Sequence, residues 1–218
     1  MYDYPFPQAA PLVNAFLQTL FLLLFPLVIA SIAGGSLGLW LFFRRHPLLS
    51  RSAKPRPAGT KALPCLRSLW YLGLMPMLLL WMQRTSGMAY GTAAALLLSL
   101  GATAHLTFHV YGAFYAIDES TLEMALASGL SGWGLIRRVL IPLGKNRLLH
   151  TLCETALFLL AMGSVAGCAV GGGLTGLALR DGLLQTDGLT WFLCLLLLAF
   201  LFFLVSRLSF RFAQNAEK

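Results

Sequence analysis

The sequence predicts an all-α membrane protein with five spanning helices, and three observations carry that prediction. The 218 residues are 58% hydrophobic and 11% charged, with a mean hydropathy of +0.75; soluble domains carry about a quarter charged residues. Five apolar runs, at residues 13–43, 66–82, 89–115, 148–170 and 189–210, reach or approach the roughly 20 residues that cross a bilayer. The basic residues alternate between the connections. Arg44, Arg45, Arg51, Lys54, Arg56, Lys61 and Arg67 fall in the first connection, Arg137, Arg138, Lys145 and Arg147 in the third, and Arg207, Arg211 and Lys218 in the tail. Arg84 and Arg180 alone lie elsewhere. Because Lys and Arg gather on the cytoplasmic side, the N-terminus is expected outside and the third connection and the C-terminus inside.

The opening "MYDYPFPQAAP" has no basic residue ahead of the first apolar run. A cleavable signal peptide needs that positive region, so the first run reads as a retained helix. The first and third runs are long enough to tilt or to continue past the bilayer. The second is short and contains Pro76, which is expected to kink it; neighbouring helices can re-satisfy the freed backbone groups. Between the first two runs, "RSAKPRPAGTKALP" combines proline, glycine and basic residues and reads as a solvated loop with some attraction for anionic headgroups. No soluble domain or internal repeat interrupts the pattern, so residues 1–218 form one transmembrane domain.

The formal charge of +8 follows from this topology and does not imply nucleic acid. Cys65, Cys153, Cys168 and Cys194 stand far apart with no metal spacing and read as small core residues. No nucleophile–base–acid set is present, and no metal centre or cofactor is expected. The phosphate-loop pattern G-x-x-x-x-G-K-[ST] is absent, so any ATP hydrolysis would have to come from another chain.

Four polar or soft groups inside the spans need separate readings. His105 and His109 share one face of the third helix and cannot take opposite axial positions on a haem iron, so polar packing or a pore-lining role is expected. His46 and His150 lie near helix ends, apart from them in membrane depth. Glu154 stands early in the fourth helix, where a carboxylate is costly, and is expected to pair with Arg147. Met75, Met77, Met82 and Met162 read as flexible core fillers.

The third connection, "STLEMALASGLSGWGLIRRVLIP" at residues 120–142, is polar enough to leave the membrane. Ser120 with Glu123 has capping-box spacing, placing a helix start near Thr121. Leu122, Ala125, Leu126 and Gly129 then share one face. Gly129 falls where a C-cap needs positive φ. Ser131 is placed to cap a second short helix bearing Trp133, Leu135, Ile136, Val139 and Leu140, which Pro142 is expected to stop. Two helices meeting at a glycine corner serve either as an amphipathic connector in the headgroup layer or as a knob for a partner's groove.

This segment resembles the cytoplasmic coupling loop of ABC importer permeases. The family's E-A-A, a glycine four residues on, and the closing apolar run before proline read here as Glu123-Met124-Ala125, Gly129 and Val139-Leu140-Ile141-Pro142. Met124 replaces the usual alanine. "GCAVGGGLTGLALRDG" at 167–182 is similar to the glycine-rich region after the fourth helix of methionine-importer (MetI-like) permeases, and "LCLLLLAFLFFLVSRLSFRF" resembles their last helix. The family's "RSIPF" reads Arg67-Ser68-Leu69-Trp70-Tyr71, without its proline. Its "GYSAMGG" reads Gly163-Ser164-Val165-Ala166-Gly167-Cys168, without its tyrosine and methionine.

The resemblance implies a type I importer permease fold with a coupling loop at about residues 118–142, working as a homodimer in the bacterial inner membrane. It implies two copies of a cytoplasmic ATPase and an extracytoplasmic substrate-binding protein or lipoprotein as partners, with methionine or a related amino acid as cargo. Glu123, Ala125, Leu126, Gly129, Trp133 and Ile136 would meet the ATPase. Ser164, Gly167, Gly171, Gly172 and Gly173 would lie near the pore or the dimer axis, in a tight re-entry after the fourth helix.

Overall fold

The computed structural model describes residues 9–45, 77, 78, 80, 81, 84, 90–130, 133–170, 172–180 and 188–216. All the regular structure among them is helical. In chain order the elements are α1 (Ala9–Arg45), α2 (Tyr90–Tyr115), α3 (Glu119–Ala127), α4 (Trp133–Leu135), a π turn (Ile136–Leu140), α5 (Ile141–Val170), α6 (Gly173–Leu177) and α7 (Gly188–Ala216). Four stretches of the described residues are long and apolar enough to cross a membrane: α1, α2, the run through α5, and α7. Most of the expected second span, including Pro76, lies outside the described residues, as do the first connection and Gly171.

α1 packs most extensively on α2, and glycine is what lets the two backbones meet. A Cβ at Gly34 would stand 2.9 Å from the Thr103 carbonyl oxygen, and one at Gly38 would stand 2.8 Å from Val110 Cγ1 and 3.0 Å from the Thr107 carbonyl oxygen. This is the small-x-x-x-small device of membrane helices, where close van der Waals packing replaces a hydrophobic drive. The register rises along both helices, from Gln18 beside Gly91 to Phe42 against Phe114, whose ring centroids are 5.8 Å apart. α1 and α2 therefore run parallel.

α5 runs antiparallel to α2. Gly144 lies on the Phe114 ring, Arg147 Nη1 donates to the Ala116 carbonyl at 3.1 Å, and the His105 ring stacks on Phe158. One continuous core joins Leu22, Ala30 and Phe42 of α1, Leu98, Leu106 and Val110 of α2, Leu159 of α5 and Leu201 of α7. Large apolar side chains cover the outer face of α7, among them Phe192, Phe200, Phe203 and Phe210. On a soluble protein such a face would be an aggregation surface; in a bilayer it is matched to lipid.

The same register gathers Arg44 and the start of α5 at one end of the bundle, and antiparallel α7 carries Arg207 and Arg211 back towards it. Arg44 lies over the Trp40 ring and Arg207 over Phe203. This end is called the basic end below.

Candidate functional site

At the basic end, α3 leaves the bundle directly after α2. Its N-cap is Asp118, with φ −57° and ψ 131° and no side-chain cap bond. The Asp118 carbonyl instead accepts from the amides of Thr121 and Leu122. The expected capping box is corrected by this geometry: the helix starts at Glu119, which puts Ser120 inside the first turn, too late to cap it.

α3 ends at Gly129 with φ +79°. The Leu130 amide donates to the Ala125 carbonyl at 3.2 Å and the Gly129 amide to the Leu126 carbonyl at 3.0 Å. Those two bonds are a Schellman closure, which needs a left-handed residue at this position. The chain turns, and α4 begins at Trp133. Residues 131 and 132, including the expected cap Ser131, lie outside the described residues.

Pro142 does not stop the second helix. It sits at the second position of α5, and helical structure continues from Trp133 to Val170 through the π turn. Proline has no N–H for the carbonyl four residues back, and its ring crowds that group. The turn just upstream widens: the Ile141 amide reaches the Ile136 carbonyl, five residues away. A π turn of this kind absorbs proline without ending the helix.

The corner is half sunk into the bundle. Leu122, Leu135 and Leu140 belong to the main core. Of the residues expected to meet a partner, Ala125 and Ile136 are each only 8% exposed; they hold the corner against the bundle and present no outer surface. Leu126 is half-buried. Glu123, Gly129 and Trp133 face outward, Trp133 at 73% exposure, together with Met124 at 66%. The packed face seen in the sequence was real, but it is turned inward.

At the opposite end, α5 gives way to the glycine-rich turn. Gly173 has φ +67° and starts α6, which folds back onto α1. Gln18 Oε1 accepts from the Gly173 amide at 3.1 Å, and Thr19 Oγ1 accepts from the Leu174 amide at 2.9 Å. α1 thereby satisfies two N-terminal donors of α6. Gly167 is buried where a side chain would collide with Thr175 Oγ1 and the Gly172 carbonyl. Ser164 donates to the Leu160 carbonyl at 2.8 Å. It lines a cavity of about 10 Å³ with Thr19 and Thr175, and also an open groove of about 450 Å³ between α5 and α7. Gly167, Gly172 and Gly173 are thus brought together within one chain. Gln18, Thr19, Gly34 and Gly38 were missed in the sequence reading; the four-residue glycine spacing and two polar residues in an apolar run were the available signals.

Glu154 does not pair with Arg147, whose guanidinium is on Ala116. Its carboxylate stands 3.5 Å from His109 Nδ1 and 3.8 Å from His150 Nδ1. The expected separation of His150 from the α2 histidines is corrected with it: antiparallel α2 and α5 bring both rings to the same carboxylate.

A bundle of apolar spans, one basic end and an exposed two-helix corner at that end define the class: a multi-pass membrane protein with the architecture of a transporter's permease subunit. No protein-family model matches the chain. The chain is 27% identical over 181 residues to the probable D-methionine transport system permease protein MetI of Vibrio cholerae serotype O1, spanning 81% of this chain and 79% of that one. Two solved structures of the MetNI methionine ABC transporter in inward-facing conformations share its fold across 99% of both chains. Each is 20% identical, with TM-scores of 0.76 and 0.78. In sequence and in fold, the chain resembles the MetI-like permeases of ABC importers.

Proposed function

We propose that this chain is the permease subunit of an ABC importer that carries methionine or a related amino acid into the cytoplasm. The observation that carries the reading is the corner at Glu119–Leu140: the E-x-A…G pattern forms an exposed knob on the basic end of a bundle with the MetNI permease fold. By the positive-inside rule that end is cytoplasmic, which puts the N-terminus outside and the C-terminus inside the inner membrane. The parallel run of α1 and α2 supports five spans, because two parallel crossings in succession require a return crossing between them.

The chain acts as a homodimer, since five helices furnish half a pore and two-fold closure is the commonest solution. Each protomer offers one corner to one copy of a cytoplasmic ATPase, through Glu123, Met124, Gly129 and Trp133. A substrate-binding protein or lipoprotein delivers cargo from outside. When the ATPases close on ATP they move both corners, and the spans swing between inward-open and outward-open states. Ser164 and the turn at Gly167–Gly173 stand at the outer part of the pathway.

Radiolabelled methionine uptake by cells expressing the chain with and without its ATPase tests the reading. Uptake that requires both supports it. ATPase-dependent uptake of a different solute would change the cargo, and a chain that binds the ATPase without supporting any uptake would be an assembly subunit.

A further inference from the structure

We propose that His109, Glu154 and His150 form a proton-operated clamp between α2 and α5. The two Nδ1 atoms stand 3.5 and 3.8 Å from one carboxylate oxygen, Glu154 Oε2. His109 belongs to α2, while His150 and Glu154 are one turn apart on α5, so the carboxylate sits where the two helices meet. It lies about 10 Å along α5 beyond Arg147, at 1.5 Å per residue, in a span otherwise dominated by apolar side chains. An ionisable group there is costly and marks function by default. The side chains of His109, Glu154 and His150 are 34%, 39% and 32% exposed, which leaves the group open to proton exchange.

The other charged and titratable groups on the surrounding elements are engaged elsewhere or point outward. On α2, His105 lies 4.3 Å from the His109 ring and stacks on Phe158 of α5. On α5, Arg147 donates to the Ala116 carbonyl and Lys145 is exposed. Arg44 of α1 rests on Trp40 and Arg207 of α7 on Phe203. Arg137, Arg138, Arg180 and Arg211 are exposed. Among the described residues, only the two imidazoles reach Glu154 within ion-pair distance.

Imidazole is the side chain that changes charge between about pH 5 and 8. When His109 and His150 carry protons, the carboxylate is shared by two cations and draws α2 onto α5. When both are neutral, the same carboxylate stands among polar rings with no cation to balance it, and the contact loosens. The clamp therefore tightens as pH falls and slackens as it rises. α2 and α5 are the two helices that hold the Glu119–Leu140 corner, so proton occupancy sets how firmly that corner is carried. This holds whatever docks there.

The test is the thermal unfolding midpoint of the full-length protein in lipid nanodiscs, compared between about pH 8 and about pH 6, the range over which imidazole titrates. Wild type should gain several degrees as pH falls. Glu154→Gln should lose most of that gain, and His109→Gln and His150→Gln should each lose part of it. Should Glu154→Gln fail to insert, the two histidine variants decide the matter. A wild-type pH slope in Glu154→Gln, or in both histidine variants, overturns the clamp even if their midpoints are lower at every pH.

Discussion

Gly129 offers a perturbation whose size can be worked out from the structure. At φ +79°, a Cβ on this residue would meet no heavy atom within 4 Å. Substitution therefore adds no collision, and the cost is conformational alone. An L-residue held in the left-handed region costs roughly 1–2 kcal/mol, and a β-branched one more, because its side chain also crowds the backbone. Since about 1.4 kcal/mol is tenfold in an equilibrium constant, Gly129→Ala should lower the population of the native corner about tenfold. Gly129→Val should lower it further. The chain can relieve the strain by giving up the bonds from Leu130 to Ala125 and from Gly129 to Leu126, and doing so swings Trp133 away from its place. Asparagine visits the left-handed region readily, so Gly129→Asn should recover most of the loss.

Two measurements read this series: the amount of protein in the membrane, and the ATPase that co-purifies with it. The apolar spans govern insertion, so membrane abundance should stay at the wild-type level throughout. Co-purified ATPase should fall in the order glycine, asparagine, alanine, valine. Wild-type recovery of ATPase with Gly129→Val would refute the reasoning. So would equal damage from asparagine and valine, because φ would then not be the property that matters.

Three further outcomes follow from the packing and the charge pattern. Gly167→Val should insert normally yet transport at least tenfold less, because its side chain forces apart Gly172 and Thr175; uptake at the wild-type level would show that the turn tolerates opening. Gly38→Val overpacks the α1–α2 contact at a cost of about 1–3 kcal/mol and should lower the unfolding midpoint by several degrees, while Gly35→Val, with nothing within 4 Å of its Cβ, should leave it unchanged. A reporter fused after Lys218 should report a cytoplasmic location and one near Gly87 or Thr186 a periplasmic one; the reverse at either loop would break the five-span topology.

Much of this molecule was legible from two periodic signals, the apolar runs and the alternation of basic connections. Both act through the bilayer, which leaves few alternatives, so α1, α2, α5 and α7 lie close to where they were expected. The glycine corner was legible for a similar reason: positive φ at a helix end is a local demand that Gly129 meets without help from the rest of the chain. What could not be read depends on which helix lies beside which. The shared face of α3 was visible, but whether it turned to the bundle or to a partner was not, and Ala125 and Ile136 turned inward. Pro142 signals a helix stop by itself, and only the π turn upstream of it allows continuation. Glu154 was assigned to Arg147 by nearness in sequence, whereas antiparallel packing gave it His109 from another helix. Gln18 and Thr19 are ordinary polar residues until α6 folds back upon them.

The central claim is that the outward side of the Glu119–Leu140 corner is a docking surface for an ATPase. A photo-reactive amino acid in place of Trp133, the most exposed side chain of the corner, tests it directly in native membranes that contain both subunits. Irradiation should give an adduct of one permease chain with one ATPase chain, and Gly129→Val in the same protein should abolish it. A probe at Trp133 that labels only lipid, with the ATPase present and the permease inserted, would show that the corner lies in the headgroup layer and contradict the account.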